Sequence, residues 1–440
     1  HRSLRRQRQM CIRDSINSYM KIAILGSGGR EHALTFSISK SNKVKKIYCI
    51  PGNAGTSSLA ENISIDINNF ETVYEFLKKN NIDLVVVGPE DPLVNGIVDY
   101  LEKLNIKVFG PNKVASQLEG SKIFTKNLCK KYNIPTAEFG IFKNAEESYD
   151  YIDSAKHPLV IKADNLAAGK GVYICREKKE SYLAVKEIFD GKFGIAKNIL
   201  FEEFLEGEEM SYFIVSDGKT FKYFGSAQDH KRVGEGDKGK NTGGMGAYSP
   251  SRLFNKELER KILEKIIKPT LKGINDLGTK YKGFLYAGLM IVKDEPFLIE
   301  YNVRMGDPEC QTILPTLDTD IIKIFQSCIN EKLDEIEIKW INKKSLCVVL
   351  CSNGYPDKYE KNIIIDNFEK LNLDENNYLF HAGTEMKNNK IYAVGGRVLN
   401  FISLSNTYSE AKKNIHENLE KLNWEKGFFR KDIGYKVINK

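Results

Sequence analysis

The sequence predicts a multidomain protein of the α/β and α+β classes: a parallel α/β domain first, a larger central unit second and a small mixed β/α domain last. Its 440 residues exceed the length that one ordinary hydrophobic core supports. The hydrophobic fraction of 41% and the charged fraction of 28% are those of a globular chain, not a disordered one. From Met20 onward, short apolar runs alternate with amphipathic stretches, as strands alternate with helices.

The segment 20–121 predicts the parallel α/β domain. Its predicted strands are 21–25, 44–50, 83–87 and 106–109, and its predicted helices are 31–39, 70–79 and 93–104. Because the strands alternate with helices, we expect a parallel sheet with right-handed crossovers. The turn-forming residues Gly110, Pro111 and Asn112 indicate that this domain ends near residue 121.

The segment 122–335 is predicted to form the central unit, and 336–440 the small C-terminal domain. The central unit's predicted strands are 159–162, 199–204, 210–215, 222–225, 283–292 and 296–301, and its predicted helices are 121–132 and 256–277. The C-terminal domain has apolar runs at 345–351, 378–382 and 391–400 and a predicted helix at 409–421.

The net charge of +8 is concentrated at one end of the chain. Residues 1–19 hold five arginines and one acid, so they carry half of this charge. A transit peptide, a remnant of sequence assembly and a functional basic arm all fit this composition, and we interpret 1–19 as a non-native or disordered leader. The remaining residues are close to neutral and contain no membrane-length apolar run, so we expect a cytoplasmic protein without nucleic-acid or membrane partners.

The cysteines and histidines do not predict a metal site. The eight cysteines form no C-x-x-C pair, and the six histidines form no H-x-x-x-H pair. Reduced, buried thiols are the expected state of such cysteines in a reducing compartment.

A glycine-rich turn, GSGGREH at 26–32, follows the first predicted strand and opens a helix. Backbone N–H groups at such a turn can bind an anion, so Gly28 and Gly29 are candidate ligand contacts. Asn53 and Gly55 of a second glycine-containing loop could share a phosphorylated ligand with them. A nicotinamide dinucleotide is disfavoured, because no ribose-binding acid ends the second strand. A helix start that binds nothing remains the other interpretation.

Two further motifs suit a nucleoside triphosphate. In 159–172 a buried strand delivers Lys162, and a loop of small residues carries Gly169, Lys170 and Gly171, so that ammonium and N–H groups could contact phosphates. A structural lysine is the alternative. In 199–211 a strand ends at acids and a turn, whose backbone groups could bind an adenine edge and whose carboxylates could accept from ribose hydroxyls. The candidates there are Glu202, Glu203, Leu205 and Glu209, against an exposed acidic turn.

The strongest motif is PFLIEYNVRMGDPE at 296–309. Strand alternation places Glu300 and Asn302 on one face, with Arg304 next in the same alternation. Paired oxygen ligands suit Mg²⁺ bound to phosphates, and a guanidinium suits a carboxylate or a developing phosphoryl charge.

The polar, glycine-rich stretch 226–250 predicts a long functional loop with little to pack. Asp229, His230 and Lys231 concentrate charge at its start. His230 could act as a general base, but a surface histidine is the simpler interpretation.

Taken in order, these motifs resemble the ATP-grasp fold. GSGGREH, PGNAG, GPEDPLVNG, AAGKG, QDHKR, NTGGMGAYSP and RMGDPE together resemble the phosphoribosylamine–glycine ligase family, over essentially 20–440. Two positions depart from the pattern: Asn165 stands where glycine is usual, and Met305 where phenylalanine or leucine is usual. Neither is an expected ligand.

The resemblance implies an ATP-dependent ligase of purine biosynthesis, expected to be monomeric, that joins glycine to 5-phosphoribosylamine through a glycyl phosphate. The N-terminal domain would be a pre-ATP-grasp domain, and residues from about 140 to 207 a mobile lid. Another ATP-grasp ligase or carboxylase is the nearest alternative, and a nicotinamide oxidoreductase a more distant one.

The resemblance also implies roles for the candidate residues. Phosphates would be bound by Lys162 and Lys170, adenine by backbone groups of Glu202 and Leu205, and ribose by Glu209. Mg²⁺ or Mn²⁺ would be bound by Glu300 and Asn302. Glycine and the transferring charge would be served by Arg304, Asp229 and Lys231, together with Asp307 and Glu309 of the following turn. The phosphoribosyl end would lie at the two N-terminal glycine loops.

Overall fold

The computed structural model describes residues 19–164, 171–192, 194 and 196–438. The expected leader, apart from Tyr19, and the expected phosphate contacts Gly169 and Lys170 lie outside these residues.

The N-terminal part is a five-stranded parallel sheet with strand order β3-β2-β1-β4-β5. The strands are β1 (Met20–Gly26), β2 (Val44–Pro51), β3 (Glu61–Asn62), β4 (Leu84–Val87) and β5 (Val108–Phe109). The helices are α1 (Gly29–Ser39), α2 (Phe70–Lys79), α3 (Glu90–Asn95), α4 (Ile97–Lys103) and α5 (Gln117–Gly120). The helix predicted over 93–104 is two helices, because Gly96 adopts a left-handed conformation with φ of 96° between them.

Both faces of this sheet are buried, as expected for parallel strands. Alternate residues of β1 enter different cores: Ile22 and Ile24 pack into one, and Ala23 and Leu25 into the other. The apolar run in β1 is therefore continuous because neither of its faces contacts solvent.

A four-stranded antiparallel sheet, ordered β6-β9-β7-β8, lies between the N-terminal sheet and the large central one along the chain. Its strands are β6 (Phe139–Phe142), β7 (Leu159–Ala163), β8 (Val172–Cys175) and β9 (Ile199–Glu203). Helix α6 (Lys122–Tyr132) precedes it, and α7 (Ala145–Ser154) and α8 (Lys178–Phe189) pack on it. Its buried side chains, such as Ile161 and Phe201, form a separate core.

The largest sheet joins the central and C-terminal parts of the chain. Its strand order is β16-β15-β10-β11-β14-β17-β22-β19, with β23 paired to β17. The strands are β10 (Glu208–Asp217), β11 (Phe221–Asp229), β14 (Gly246–Ser249), β15 (Lys282–Val292), β16 (Glu295–Asn302), β17 (Lys344–Ser352), β19 (Asn377–His381), β22 (Arg397–Ser405) and β23 (Gly427–Phe428). Because β14 pairs with β17, one hydrogen-bonded sheet crosses the boundary predicted near residue 335.

Two small sheets and six helices complete the described structure. The strands are β12 (Arg232–Gly234), β13 (Lys238–Asn241), β18 (Ile363–Ile365), β20 (Thr384–Lys387) and β21 (Lys390–Ala393). The helices are α9 (Lys256–Ile262), α10 (Lys268–Asp276), α11 (Glu309–Ile313), α12 (Ile321–Ile329), α13 (Tyr408–Leu422) and α14 (Tyr435–Ile438). A π-helical turn, Leu263–Ile267, joins α9 to α10 and ends two residues before Pro269, which has no N–H to donate to a preceding turn.

The stretch predicted as a loop with little to pack, 226–250, is mostly strand. The β12–β13 hairpin occupies its middle, and Met245 and Tyr248 near its end are fully buried. His230 is also buried, with 2% of its surface exposed, so the surface interpretation of this histidine was wrong. Its glycines suggested an open loop because they lack side chains that could reveal strand alternation.

The described cysteines, all but Cys11, are buried and form no disulfide. Within the same part of the chain, no helix combines the length and apolar character that crossing a membrane requires.

Candidate active site

A buried cluster of two lysines and one glutamate links the four-stranded sheet to α6. Glu202 on β9 forms ion pairs with Lys162 on β7 and with Lys126 on α6. Val160 is the direct partner of Glu202 across the strands, so Lys162 lies diagonal to it on the same face. Burial opposes the charge of Glu202, but the two lysines outweigh burial and lower its pKa. The side chain of Glu202 therefore holds Lys162 in place.

The other predicted nucleotide contacts follow this cluster along the chain. Glu203 is exposed and accepts a hydrogen bond from the N–H of Glu138 at 3.0 Å. Leu205 is half-buried between β9 and β10, and Glu209 lies near the start of β10. Gly171 accepts a hydrogen bond from the N–H of Ala163 at 2.9 Å, so the two ends of the loop between them lie together.

Glu300 and Asn302 lie on the same face of β16, and both are partly exposed. Lys231 bridges Glu300 at 3.7 Å and Glu209 at 2.9 Å. Burial opposes the charge of Lys231, yet these two carboxylates raise its pKa well above the usual value. Lys231 therefore contacts both the carboxylate predicted to bind metal and the carboxylate predicted to bind ribose.

Glu300, one of the predicted metal ligands, lies in the electrostatic field of Lys162, the lysine predicted to bind phosphate. Burial opposes ionisation of this carboxyl, but nearby cations outweigh burial and lower its pKa. These cations, in decreasing order of effect, are Lys231, Lys162, Lys122 and Arg304. Among the described residues, no three His, Cys, Asp or Glu side chains form a metal site by themselves. One carboxylate and one amide oxygen beside cations that are predicted to bind phosphate nevertheless fit a metal that binds together with a nucleotide.

Arg304 is held between two acids that the sequence analysis did not predict. Its Nε donates to Glu90 at 3.1 Å, and its Nη2 donates to Glu119 at 2.6 Å. Arg304 lowers the pKa of Glu90 to about 2, whereas burial raises the pKa of Glu119 to about 7. The guanidinium therefore also joins the N-terminal part of the chain to the strand that carries Glu300.

Glu309 is buried and Asp229 partly buried, and these two acids lie near each other and near Lys231. Burial, followed by the charge of Glu309, raises the pKa of Asp229 well above its usual value. Asp229 Oδ1 is buried and has no hydrogen-bond partner in the described part of the chain. Glu309 accepts a hydrogen bond from Ser211 Oγ at 3.2 Å. An unpartnered buried carboxyl oxygen next to a second carboxyl is suited to an amine or ammonium group.

Asp307 connects this group of acids to the first glycine loop and to the C-terminal domain. Its carboxylate accepts from the N–H of Arg30 at 3.3 Å and pairs with Arg397 at 3.3 Å. Arg397 Nη1 also donates to the carbonyls of Asp307 and Gly243, both at 2.6 Å. Burial opposes the charge of Asp307, but Arg397 and Arg30 outweigh it and lower its pKa.

The first glycine loop packs closely against neighbouring side chains. Gly28 donates its N–H to Glu31 at 2.6 Å, so a carboxylate already occupies one donor of the predicted anion site. A Cβ on Gly29 would overlap the side-chain amides of Gln311 and Asn400. Gly29 is therefore required for close packing of α1 against the C-terminal domain.

The side chain of Asn53 organises the second loop through hydrogen bonds to backbone groups. Its Nδ2 donates to the carbonyls of Ser27 and His381, both at 2.8 Å, and its Oδ1 accepts from Gly55 at 2.9 Å. Gly55 itself packs against His32 and His381. Any contact between this loop and a ligand would therefore come from its backbone.

The structure gathers the predicted residues into two neighbouring groups and adds several more. The first group, predicted to bind the nucleotide, consists of Lys162, Glu202, Glu209, Lys231 and Glu300. The second consists of Asp229, Arg304, Asp307 and Glu309, with Gly28 beside it. The contacts that the sequence analysis missed are Lys126, Glu90, Glu119, Arg30 and Arg397. Glu90 and Arg30 stood inside quoted motifs, while a lysine on the buried face of α6 was the available signal for Lys126.

Comparisons with known proteins agree with this arrangement. Three models described as phosphoribosylglycinamide synthetase match the chain: its N domain at 20–119, its ATP-grasp (A) domain at 120–310 and its C domain at 345–436. A phosphoribosylamine–glycine ligase of Brucella melitensis is 45% identical over 422 residues, which cover 96% of this chain and 99% of the relative. The chain belongs to the phosphoribosylglycinamide synthetase family.

Solved structures support the membership and the fold. The phosphoribosylamine–glycine ligase of Thermotoga maritima has a TM-score of 0.82 at 34% identity and covers 94% of this chain and all of its own. A biotin carboxylase domain from Hydrogenobacter thermophilus has a TM-score of 0.70 at 17% identity over 92% of this chain and 90% of its own, which shows a shared fold alone. The family resemblance and the fold class predicted from the sequence are confirmed, and the chain is a ligase of the ATP-grasp type.

Proposed function

We propose that this protein joins glycine to 5-phosphoribosylamine at the expense of ATP, as a step of purine biosynthesis. The observation that carries the proposal is that Lys162 and Lys231 both act electrostatically on the carboxylate of Glu300. Such an arrangement can hold a triphosphate next to an acid that it activates. Membership of the phosphoribosylglycinamide synthetase family supports the choice of substrates.

The proposed reaction has two steps. A glycine carboxylate oxygen attacks the γ-phosphorus of ATP, which forms glycyl phosphate and breaks the bond to ADP. The amine of 5-phosphoribosylamine then attacks the glycyl carbonyl, loses a proton and expels inorganic phosphate. No enzyme side chain needs to become covalently bound, so the protein acts by positioning and by stabilising charge.

On the nucleotide side, the phosphates are assigned to Lys162 and to the loop with Gly169, Lys170 and Gly171. The adenine edge is assigned to the backbone at Glu202, Glu203 and Leu205, and the ribose to Glu209. Mg²⁺ or Mn²⁺ bound at Glu300 and Asn302 would screen phosphate charge. The buried ion pairs of Glu202 support these assignments, because they fix Lys162 before any nucleotide binds.

On the acceptor side, Arg304 and Lys231 are assigned to the negative charge that passes between ATP and glycine. Asp229 and Glu309 are assigned to the amino group of glycine, which their carboxyls can accept in hydrogen bonds. The phosphoribosyl end is assigned to Asp307 and to the loops with Gly28, Gly29, Asn53 and Gly55. We further propose a cytoplasmic monomer whose partners are these small molecules, without nucleic acid or membrane, and the unpaired buried thiols support a reducing compartment.

A phosphate-release assay tests the proposed reaction. Wild-type protein with ATP, Mg²⁺, glycine and 5-phosphoribosylamine should release phosphate at least about tenfold faster than without glycine. If bicarbonate or another amino acid stimulates release and glycine does not, the protein is a different ATP-grasp enzyme. If no acid stimulates release, the proposed function is wrong.

The metal assignment is tested with two glutamates of β16. Glu300→Gln should lower kcat by about a hundredfold or more and raise the Mg²⁺ concentration needed for half-maximal rate, because one oxygen ligand loses its charge. Glu295→Gln is the matched control: Glu295 lies at the other end of the strand and pairs with Lys261 at 2.7 Å. Its kcat should stay within about twofold of wild type. Equal rates for the two variants would contradict the assignment.

A further inference from the structure

The β12–β13 hairpin is separated by two residues from Asp229, which is assigned to glycine, and has no core of its own. It follows directly after Lys231, and every described residue from 231 to 241 is exposed or only partly buried. An isolated two-stranded hairpin is only marginally stable in water. Contacts from elsewhere in the chain must therefore hold it in position.

Several of those contacts come from the segment after β23, in which Arg430 makes two bonds to the hairpin. Arg430 Nη1 donates to Asp237 Oδ1 and to the carbonyl of Arg232, both at 2.9 Å. Its Nε and Nη2 donate to the two carboxylate oxygens of Asp432 at 2.8 and 2.7 Å. Only 1% of the Arg430 side chain is exposed, so it is a buried cation with one counter-charge, Asp237, in the hairpin turn and the other, Asp432, in its own segment.

Other bonds from the same segment reach the hairpin turn. Asp237, which adopts a left-handed conformation with φ of 55°, also accepts from Tyr435 Oη at 2.9 Å and pairs with Lys436 at 2.8 Å. Asp432 accepts from the N–H of Gly236 at 2.8 Å. The turn of the hairpin is thus bound by four residues of the C-terminal segment, Arg430, Asp432, Tyr435 and Lys436.

His230 connects this segment to the candidate active site itself. Its Nε2 accepts from the N–H of Gly434 at 3.2 Å, so Nε2 carries no proton, and its Nδ1–H donates to the carbonyl of Gly246 at 3.3 Å. Burial lowers the pKa of His230 to about 4, which keeps the ring neutral. The ring of His230 therefore links Gly434 of the C-terminal segment to Gly246 and does not act as a general base. In the chain, His230 lies between Asp229 and Lys231.

We propose that Arg430 is a positioning residue, which acts through Asp237 and the β12–β13 hairpin to fix Asp229 and Lys231 in the candidate active site. The proposal rests on the proposed function, because that function gives these two side chains their roles. It assigns the C-terminal segment a part in the reaction without any contact to substrate.

A double-variant cycle tests the link between Arg430 and Asp237. Arg430→Met and Asp237→Ala should each lower kcat/KM for glycine by about tenfold, and the double variant should lose little more than either one. Lys240→Ala is the matched control, because Lys240 lies on the same hairpin in an exposed ion pair with Asp357. Its kcat/KM should stay within about twofold of wild type.

Hydrogen exchange in the full-length protein gives a readout that is independent of activity. In Arg430→Met, amides of 229–246 should exchange faster than in wild type, while those of β1 and β7 should not change. If Arg430→Met fails to fold, Tyr435→Phe, which removes one bond to Asp237, should show the same pattern more weakly.

Kinetic constants and exchange that match wild type in Arg430→Met would overturn the proposal, as would losses of activity that simply add in the double variant. A protein without glycine-dependent activity whose 229–246 amides still respond would reject the proposed function and keep the link from Arg430 to the hairpin.

Discussion

Glu202 and Glu203 are adjacent residues of β9 with opposite surroundings, because successive side chains of a strand point to opposite faces. Glu202 is buried between Lys126 and Lys162, whereas Glu203 is exposed. A buried carboxylate between two ammonium groups stabilises the fold only as long as all three charges are present.

Replacing Glu202 by alanine should therefore lower the free energy of unfolding by about 3–5 kcal/mol, since two buried ammonium groups lose their counter-charge. Glu203→Ala is the control, and its loss should stay below about 1 kcal/mol. Urea unfolding of both variants measures the difference. If both variants lose a similar amount of unfolding free energy, the ion pairs of Glu202 with the two lysines contribute little to stability.

Glu90 gives the protein a pH dependence at acid pH. Its pKa falls from an ordinary value of 4.5 to about 2 beside Arg304, so its folded form is the more acidic one. The stability that it contributes is present above pH 4.5 and is lost as the pH falls toward 2. Across this pH range, the free energy of unfolding of the wild type should fall by up to about 3 kcal/mol more than that of Glu90→Gln. Parallel urea-unfolding curves for the two proteins between pH 5 and 3 would contradict this cause.

At the scale of elements, the start of α1 is fixed by the absence of a side chain. Gly29 lies against Gln311 of α11 and Asn400 of β22, so the helix reaches both at once. Alanine within a helix normally stabilises it relative to glycine by up to about 1 kcal/mol. Here the close contact should reverse that sign.

Gly29→Ala should lower the free energy of unfolding by about 1–3 kcal/mol, because Cβ forces the two amides apart. Ser39→Ala, at the exposed end of the same helix, should change it by less than about 0.5 kcal/mol. Thermal and urea unfolding compare them. If Gly29→Ala is more stable than wild type, the side chains of Gln311 and Asn400 can move aside to make room for the Cβ.

The elements were predictable where apolar periodicity is strong. The runs that become β1, β2 and β4 identify strands, since each contains four or more consecutive buried residues, so that both faces are covered there. The break at Gly96 was not predicted, because a single glycine inside a periodic helix is often tolerated. The β12–β13 hairpin was missed for a different reason: its strands bury no side chain and therefore show no apolar alternation.

The site was predictable where one segment carries its own chemistry. The positions of Lys162 on β7 and of Glu300 and Asn302 on one face of β16 follow from local strand patterns, while their roles stay predictions. Glu119 and Arg397 could not be predicted in this way, because their partners lie far away in the chain. Long-range pairs of this kind are fixed by tertiary packing and leave no local pattern.

At the scale of the whole molecule, the nine-stranded sheet depends on strands from two parts of the chain, whereas the four-stranded sheet is built from one part. The nine-stranded sheet crosses from the central to the C-terminal part through the β14–β17 pair, whereas the four-stranded sheet has its own core. Removing one part should therefore have a different consequence from removing the other.

A chain that ends at residue 341 should lose its folded core, because β14 would lose β17 and become an unprotected edge. Replacing 139–203 by a short flexible linker should keep the remaining core folded, although it removes Lys162 and Glu202. Near-ultraviolet circular dichroism and hydrogen exchange at β10 and β15 measure both outcomes. A folded core in the first protein or an unfolded one in the second would contradict this division.

The β14–β17 pair also affects the chain while it is being made. β14 leaves the ribosome roughly a hundred residues before β17, which at about 5–20 residues per second is a delay of roughly 5–20 seconds. Throughout that time β14 offers unpaired N–H and C=O groups to other nascent chains. The site beside β14 is therefore assembled only after β17 has emerged. Until then, β14 is the strand that a chaperone would protect.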